Sequence, residues 1–321
     1  MLTYADTAIP TPPRSPSPTP NPVRICVTGA AGLVGSQLCQ YLLSVGHSVV
    51  ALDIVPTDSP KLAIRPESTK RYKYIVGSAE DYEIYRDACR GCDGIVHLAA
   101  VYTRPERPVP AWRVHNANVA MSYNTLSIAV ELGINRVAMA SSVNAIGMLY
   151  SQRPKYDYLP LDESHPCRPE DAYSVAKYFC ELQSESFVRR FPSLRIATLR
   201  FHAVVPMSHV SPSSLNALGG AWKDLWGWVS NLAVARSCLL SLTAPTETFP
   251  EGTHEAFFIV APTICQQKKT QELLEGMYPE WKSDEMKIHL RRPFTSNEGL
   301  FDCSKAERML GWRENGYYME T

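Results

Sequence analysis

Tyr173 and Lys177 stand four residues apart in the stretch "AYSVAKYFCE", a spacing that places two side chains on one face of a helix. A phenol with a pKa of about 10 is a poor base at neutral pH, and a nearby ammonium favours its phenolate form. The pair could therefore move a proton. With 16 tyrosines in 321 residues the spacing decides little by itself, and its meaning depends on what the rest of the chain places beside it.

A second group of residues has spacing with a physical purpose. "TGAAGLVGSQL" supplies Gly29, Gly32 and Gly35 between an apolar run that reads as a strand and one that reads as a helix, the context a dinucleotide-binding turn requires. The first glycine allows a tight turn, the second lets backbone approach a pyrophosphate, and the third permits close helix packing. The helix N-terminal amides then face the negative charge. Asp53 follows in "VALDI", where a carboxylate accepts hydrogen bonds from ribose hydroxyls and repels a 2′-phosphate. NAD is thereby favoured over NADP.

The elements that must hold these residues alternate. "VRICVT", "SVVALDI", "YKYIV", "GIVHLAA", "RVAMASS" and "LRIATLRF" read as strands, with helical periodicity over about 33–46, 81–91, 113–132 and 171–191 between them. That pattern predicts an α/β chain with a Rossmann-type, doubly wound parallel sheet over residues 23–206. Residues 207–321 read mostly as a smaller substrate lobe or lid, in which "AFFIVAP" is strand-like and "KKTQELLEGMY" helical. Residues 1–22, rich in proline, read as a disordered tail that cannot bury a core.

Several motifs in order resemble the extended short-chain dehydrogenase/reductases, the NAD-dependent epimerase/dehydratase group, over roughly residues 23–312. They are the glycine turn at 28–35, Asp53, "HLAA" at 97–100, "NVAMSYN" at 118–124, "ASSVNAIG" at 140–147, "ESHPCRPEDAYSVAK" at 163–177, "LRF" at 199–201 and "LFDCSKAERMLGW" at 300–312. The resemblance implies a triad of Ser142, Tyr173 and Lys177, with Asn118 supporting the lysine and Ser141 left as a cofactor or strand-end contact. It implies NAD contacts from Gly29, Gly32, Leu33, Val34, Gly35, Asp53, Ile54, Ser78, Ala79, Leu98, Ala99, Ala100, Asn118, Tyr173 and Lys177. The substrate would meet Ser142, Tyr102, Thr103 and Asn144, under a cover from the region Trp222 to Trp228.

By the same resemblance, Tyr173 removes a proton from a substrate hydroxyl as hydride passes to the nicotinamide. "SSVNAIG" and "RPEDAYSVAK" look most like the uronate dehydrogenase branch. The chain departs from nucleotide-sugar enzymes in "LRFHAVVP", with Ala203 where they carry a substrate-binding asparagine. It departs from uronate dehydrogenases where their carboxylate-binding arginine falls near Pro212; Arg200 belongs to the strand itself. Ser78 replaces a usual aspartate at the adenine.

Charge and cysteine content narrow the partners. Lys plus Arg equals Asp plus Glu at 32 each, so nothing steers the chain toward nucleic acid or an anionic membrane, and a small-molecule partner is expected. Nine cysteines in largely apolar surroundings suggest reduced thiols and the cytosol. Cys89 and Cys92 have CxxC spacing but no second ligand pair, so no metal is expected and a helix end is the reading. The expected activity is an NAD-dependent dehydrogenase or reductase acting on a small hydroxyl or carbonyl compound such as a sugar or sugar acid. The alternatives are an epimerase or dehydratase and a non-catalytic dinucleotide-sensing regulator. A homodimer through the helices around 113–132 and 171–191 is expected by resemblance, and Tyr178 and Phe179 are read as core or interface packing.

Overall fold

Seven strands form one parallel sheet in the computed structural model, which describes residues 22–65, 68–218, 222–277 and 288–314. They are β1 (Arg24–Thr28), β2 (Ser48–Asp53), β3 (Tyr72–Val76), β4 (Gly94–His97), β5 (Arg136–Ser142), β7 (Arg195–Phe201) and β10 (Thr253–Ile259), in the order β10-β7-β5-β4-β1-β2-β3. Short strands β6 (Tyr158–Leu159), β8 (Val204–Val205), β9 (Val229–Ser230) and β11 (His289–Leu290) pair outside it as β11 with β6 and β8 with β9. The helices are α1 (Leu33–Ser44), α2 (Tyr82–Cys89), α3 (Ala111–Glu131), α4 (Ala172–Arg190), α5 (Pro212–Ala217), α6 (Asn231–Thr243), α7 (Thr270–Met277) and α8 (Ser304–Leu310). This is the expected Rossmann-type fold. Most of the proline-rich tail lies outside the described residues.

Strand sequences explain the layering. Along β1, Ile25 and Val27 enter one core and Cys26 the other; along β2, Val49 and Ala51 face the first and Val50 and Leu52 the second. Both faces are apolar because both are covered, as a parallel sheet requires. Leu38 and Leu42 of α1 and Val234 and Leu239 of α6 complete the first core, and Tyr85 of α2, Met121 and Leu126 of α3 and Phe187 of α4 complete the second. "AFFIVAP" supplies the end of β10, which pairs in register with β7 from Thr253↔Arg195 to Ile259↔Phe201. The sheet thus draws on chain from both sides of residue 206.

A third core lies beyond the carboxyl edge of β5, where Val143, Ile146, Leu159, Leu161, Trp226, Trp228 and Phe301 pack together. Trp226 and Trp228 are buried there, so these two rings build the lobe's interior instead of covering the cleft. Leu225 and Trp226 have φ of 56° and 52°, left-handed conformations uncommon for residues with a side chain. Asp224 accepts from the Trp226 N–H at 3.1 Å and supports this turn.

Candidate active site

Each strand ends at the same edge, so the residues just past the strands converge there. After β1, Gly29 adopts φ +66° and a β-carbon on it would stand 2.8 Å from the Ala99 amide nitrogen. A β-carbon on Gly35 would stand 2.1 Å from the Gly29 carbonyl oxygen. Glycine is needed at both positions by space, and at Gly29 by conformation as well. Gly32 caps α1 with no side chain, leaving the first-turn amides available to an anion.

Gly29, Gly32, Leu33, Val34, Gly35, Asp53, Ile54, Ser78, Ala79, Leu98, Ala99, Ala100 and Tyr102 line one cleft of about 600 Å³. Asp53 accepts from the Ala31 amide at 2.9 Å and the Val55 amide at 3.1 Å. Its carboxylate therefore shapes the glycine turn besides facing the cleft. Ser78 accepts from the Glu80 amide at 3.1 Å, which fixes the turn after β3.

The second cluster forms where β5 meets α4. Asp171 caps α4 by accepting from Tyr173 N and Ser174 N at 2.9 and 3.0 Å, a favourable start for a helix. Tyr173 and Lys177 project from its first turns, and the Lys177 Nζ lies 5.7 Å from the Tyr173 ring centre. Burial pushes the Tyr173 phenol up to about 12, and the Ser142 hydroxyl beside it works in the opposite direction. Lys177 is buried and donates to the Ala140 carbonyl at 2.6 Å; burial lowers its pKa. Ser141, pointing elsewhere by the alternation of β5, donates to Glu181 at 2.6 Å. Glu181 also pairs with Arg200 at 2.8 Å, so Arg200 is committed to a buried ion pair.

Three expected contacts take other forms. Asn118 is buried, donates to the carbonyls of Val101 and Val114 at 2.7 and 2.8 Å and accepts from Val101 N at 2.9 Å. These bonds tie Val101, in the loop after β4, to the first turns of α3, so Asn118 shapes the cleft wall, and its side chain makes no direct hydrogen bond to Lys177. Thr103 is exposed and accepts from Val109 N at 3.1 Å, closing its own loop instead of facing the cleft. Asn144 donates to the Ser142 oxygen from its backbone N at 3.1 Å and from Nδ2 at 3.3 Å. It therefore sits behind Ser142, because the 3-10 turn at Val143–Ile146 folds it back.

Other residues reach the site without a strong sequence signal. The Thr28 hydroxyl lies 2.8 Å from His97 Nδ1 and accepts from Leu98 N and Ala99 N at 3.2 Å, tying the glycine turn to the loop after β4. Burial pushes the His97 imidazole down to about 3, and the neighbouring Lys177 charge adds to the effect. Tyr150 meets the Tyr173 ring edge-to-face at 6.0 Å. Arg113 and Glu80 line the cleft as a two-pronged ion pair with contacts of 2.5 and 2.6 Å. "HLAA" pointed to His97 by position, whereas Tyr150, Arg113 and Glu80 meet their partners only through folding.

The profile of the NAD dependent epimerase/dehydratase family matches residues 25–216. The chain belongs to this family. Among curated relatives of this family member, a "Putative dihydroflavonol 4-reductase" of Synechocystis is 31% identical over 163 residues, 49% of the chain and 43% of that protein. A dTDP-6-deoxy-L-talose 4-dehydrogenase (NAD(+)) of Aggregatibacter actinomycetemcomitans is 27% identical over 57% of the chain and 62% of that protein. The matches thus span about half the length of these relatives. Among solved structures, the Bordetella bronchiseptica enzyme WbmG in complex with NAD aligns with a TM-score of 0.61 at 20% identity, covering 93% of the chain and 91% of that chain. A mutated uronate dehydrogenase aligns at 0.58 and 21%, covering 90% and 80%. These structures share the fold.

NAD is the cofactor that family membership implies, and the cleft fits it. The glycine turn leaves room that a single β-carbon at Gly29 or Gly35 would fill, the α1 amides suit a pyrophosphate, and Asp53 suits ribose hydroxyls without a phosphate. All nine cysteines are free thiols. Cys89 is the last residue of α2, and Cys92 N donates to its carbonyl at 3.0 Å, which is a helix end. Among the described residues no group of His, Cys, Asp or Glu is arranged to hold a metal ion, and no helix is long and apolar enough to cross a membrane.

Proposed function

We propose that the protein is an oxidoreductase that transfers hydride between NAD and a small hydroxyl or carbonyl compound, with Ser142, Tyr173 and Lys177 as its proton-transfer group. The observation that carries this reading is the convergence of three side chains: Ser142 at the end of β5 lies beside the Tyr173 phenol, and the Lys177 Nζ lies 5.7 Å from the Tyr173 ring centre. Tyr102 lines the NAD cleft and lies near Tyr173, which supports one continuous site. Bound NAD would supply the hydride acceptor and a positive ring that favours a neighbouring phenolate.

In the oxidising direction Tyr173 takes the proton of the substrate hydroxyl, and Ser142 holds the same oxygen by a hydrogen bond. Lys177 places its charge beside the ring, opposing the burial that otherwise keeps the phenol protonated. In reduction Tyr173 returns the proton. Ala203 contributes only backbone here, donating to His202 Nδ1 at 2.7 Å and accepting from Val229 N at 3.0 Å. No amide side chain stands there to meet a nucleotide sugar, which favours a smaller sugar, sugar acid or polyol.

Net NADH formation with one of a set of sugars, sugar acids and alcohols is the expected result of a direct assay. Turnover without net NADH would replace this reading with an epimerase or dehydratase, as a "Putative UDP-glucose 4-epimerase" of Methanocaldococcus jannaschii, 24% identical over 92% of the chain and 85% of that protein, invites. NAD binding without turnover of any compound would leave a dinucleotide sensor. Exposed Tyr123 and Phe179 on the adjoining helices α3 and α4 support a homodimer through that face, and the free thiols support the cytosol.

A further inference from the structure

Asn144 has a hydrogen-bond arrangement that turns two donors onto the Ser142 oxygen. Its Oδ1 accepts from the Leu149 backbone N–H at 2.9 Å. A backbone amide can only donate, so the atom turned toward Ser142 must be the Nδ2 donor. That Nδ2 reaches the Ser142 oxygen at 3.3 Å, and the Asn144 backbone N–H reaches the same oxygen at 3.1 Å. Both lone pairs of Ser142 are engaged, so its own hydrogen points away from Asn144 and is free to donate to a neighbouring oxygen, and Tyr173 lies beside it.

We propose that Asn144 is a positioning residue that fixes the Ser142 hydroxyl as a donor, aimed at the Tyr173 oxygen and at the substrate oxygen beside it. A serine with free lone pairs could instead accept from the phenol and hold it protonated. With two donors behind it, Ser142 stabilises the phenolate that is present before the proton is taken from the substrate in oxidation and after it is given up in reduction. The chain of bonds runs from Leu149 N–H through the Asn144 amide and the Ser142 hydroxyl to Tyr173. Asn144 is buried, so water does not replace its donor readily.

Other groups facing Tyr173 act independently of this polarity. From its own helix these are Asp171, Lys177 and Cys180; from the loop after β4, Tyr102; from the loop before β6, Tyr150. Arg104 lies over the Tyr102 ring at 4.8 Å, and His97 of β4 lies near Lys177 and is neutral. None of these contacts includes the Ser142 oxygen. Removing Asn144 and removing Ser142 should therefore have the same, non-additive effect on Tyr173.

The inference rests on the proposed role of Tyr173, but its test does not require a substrate. Protein labelled with meta-fluorotyrosine and loaded with NAD is titrated by fluorine NMR, the Tyr173 signal being the one absent from Tyr173→Phe. Asn144→Ala, and Asn144→Leu as a space-filling variant without a donor, should both raise the pH at which Tyr173 ionises, by about half to one unit. Neither should shift it further in a Ser142→Ala background. Unshifted ionisation, a shift confined to the alanine variant, or an equal shift in the Ser142→Ala background would overturn the proposal. Full turnover by Tyr173→Phe would instead remove the functional reading and leave the titration result standing.

Discussion

The Lys177 ammonium lies 5.7 Å from the centre of the Tyr173 ring, one helical turn along α4. Lys177 also donates to the Ala140 carbonyl of β5 at 2.6 Å, so the helix bearing Tyr173 and Lys177 is tied to the strand that ends in Ser142. If this pair performs the chemistry, Tyr173→Phe abolishes turnover while NAD affinity stays within a few-fold, because the ring and its packing survive. Lys177→Met should lose turnover too. Kinetic assay beside NAD binding by calorimetry tests both, and an active Tyr173→Phe enzyme would sink the mechanism.

The pH dependence follows from the same phenol. Burial holds Tyr173 up to about 12 despite the neighbouring Ser142 hydroxyl, and oxidation by the proposed mechanism requires the phenolate. The rate of oxidation should therefore rise with pH through the alkaline range, and the rate of reduction, which uses the protonated phenol, should fall there. Profiles of kcat/KM in both directions provide the measurement; matching slopes of the same sign would exclude Tyr173 as the group that titrates.

Asp53 has two jobs that substitution can separate. Asp53→Ala removes both the charge and the acceptor for Ala31 N and Val55 N, so it should weaken NAD and loosen the glycine turn. Asp53→Asn keeps an acceptor oxygen and loses the charge. It should bind NAD within about tenfold of the native protein, a shift on the scale of one hydrogen bond to a charged group, and admit NADP more readily. An unchanged preference between NAD and NADP in both variants would remove Asp53 from the ribose site.

Gly35→Ala tests the cradle. Its β-carbon would need the space 2.1 Å from the Gly29 oxygen, which requires backbone to move. The cost should be about 1–3 kcal/mol of stability, with NAD binding lost. Denaturant unfolding measures the first and cofactor titration the second; native affinity in this variant would mean that α1 does not start where the structure puts it.

Stability should weaken in mild acid. His97 and His202 are buried, and burial pushes them down to about 3 and about 4. In the unfolded chain each binds a proton at a pH of about 6.5, so between there and about pH 4 the unfolded state holds more protons and stability falls as pH falls. At pH 5 the loss is about 2 kcal/mol for each histidine. Thermal melting across this range should show the slope, and His202→Asn should reduce it; a flat profile would mean that the imidazoles are protonated in the fold.

Local patterns in the sequence specified the elements and the cofactor end of the cleft. Alternating apolar residues fixed which side of β1 and β2 meets which core, and Gly29, Gly35 and Asp53 are legible because their roles depend on backbone space and strand ends. Resemblance chooses Ser142 over Ser141, and the alternation of β5 turns Ser141 to Glu181. What only folding decided concerns side chains whose partners are remote or whose direction is set by a turn. Arg113 meets Glu80 across 33 residues, Asn118 clamps Val101 across 17, and β10, which "AFFIVAP" completes, finds β7 across chain that builds part of the lobe. Asn144 is the clearest case: its place two residues after Ser142 suggested a substrate contact, while the 3-10 turn and the Leu149 amide turn its donor onto Ser142. Residue type and spacing can say that a polar group is near a site, but the direction of its hydrogen bonds is a property of the folded backbone around it.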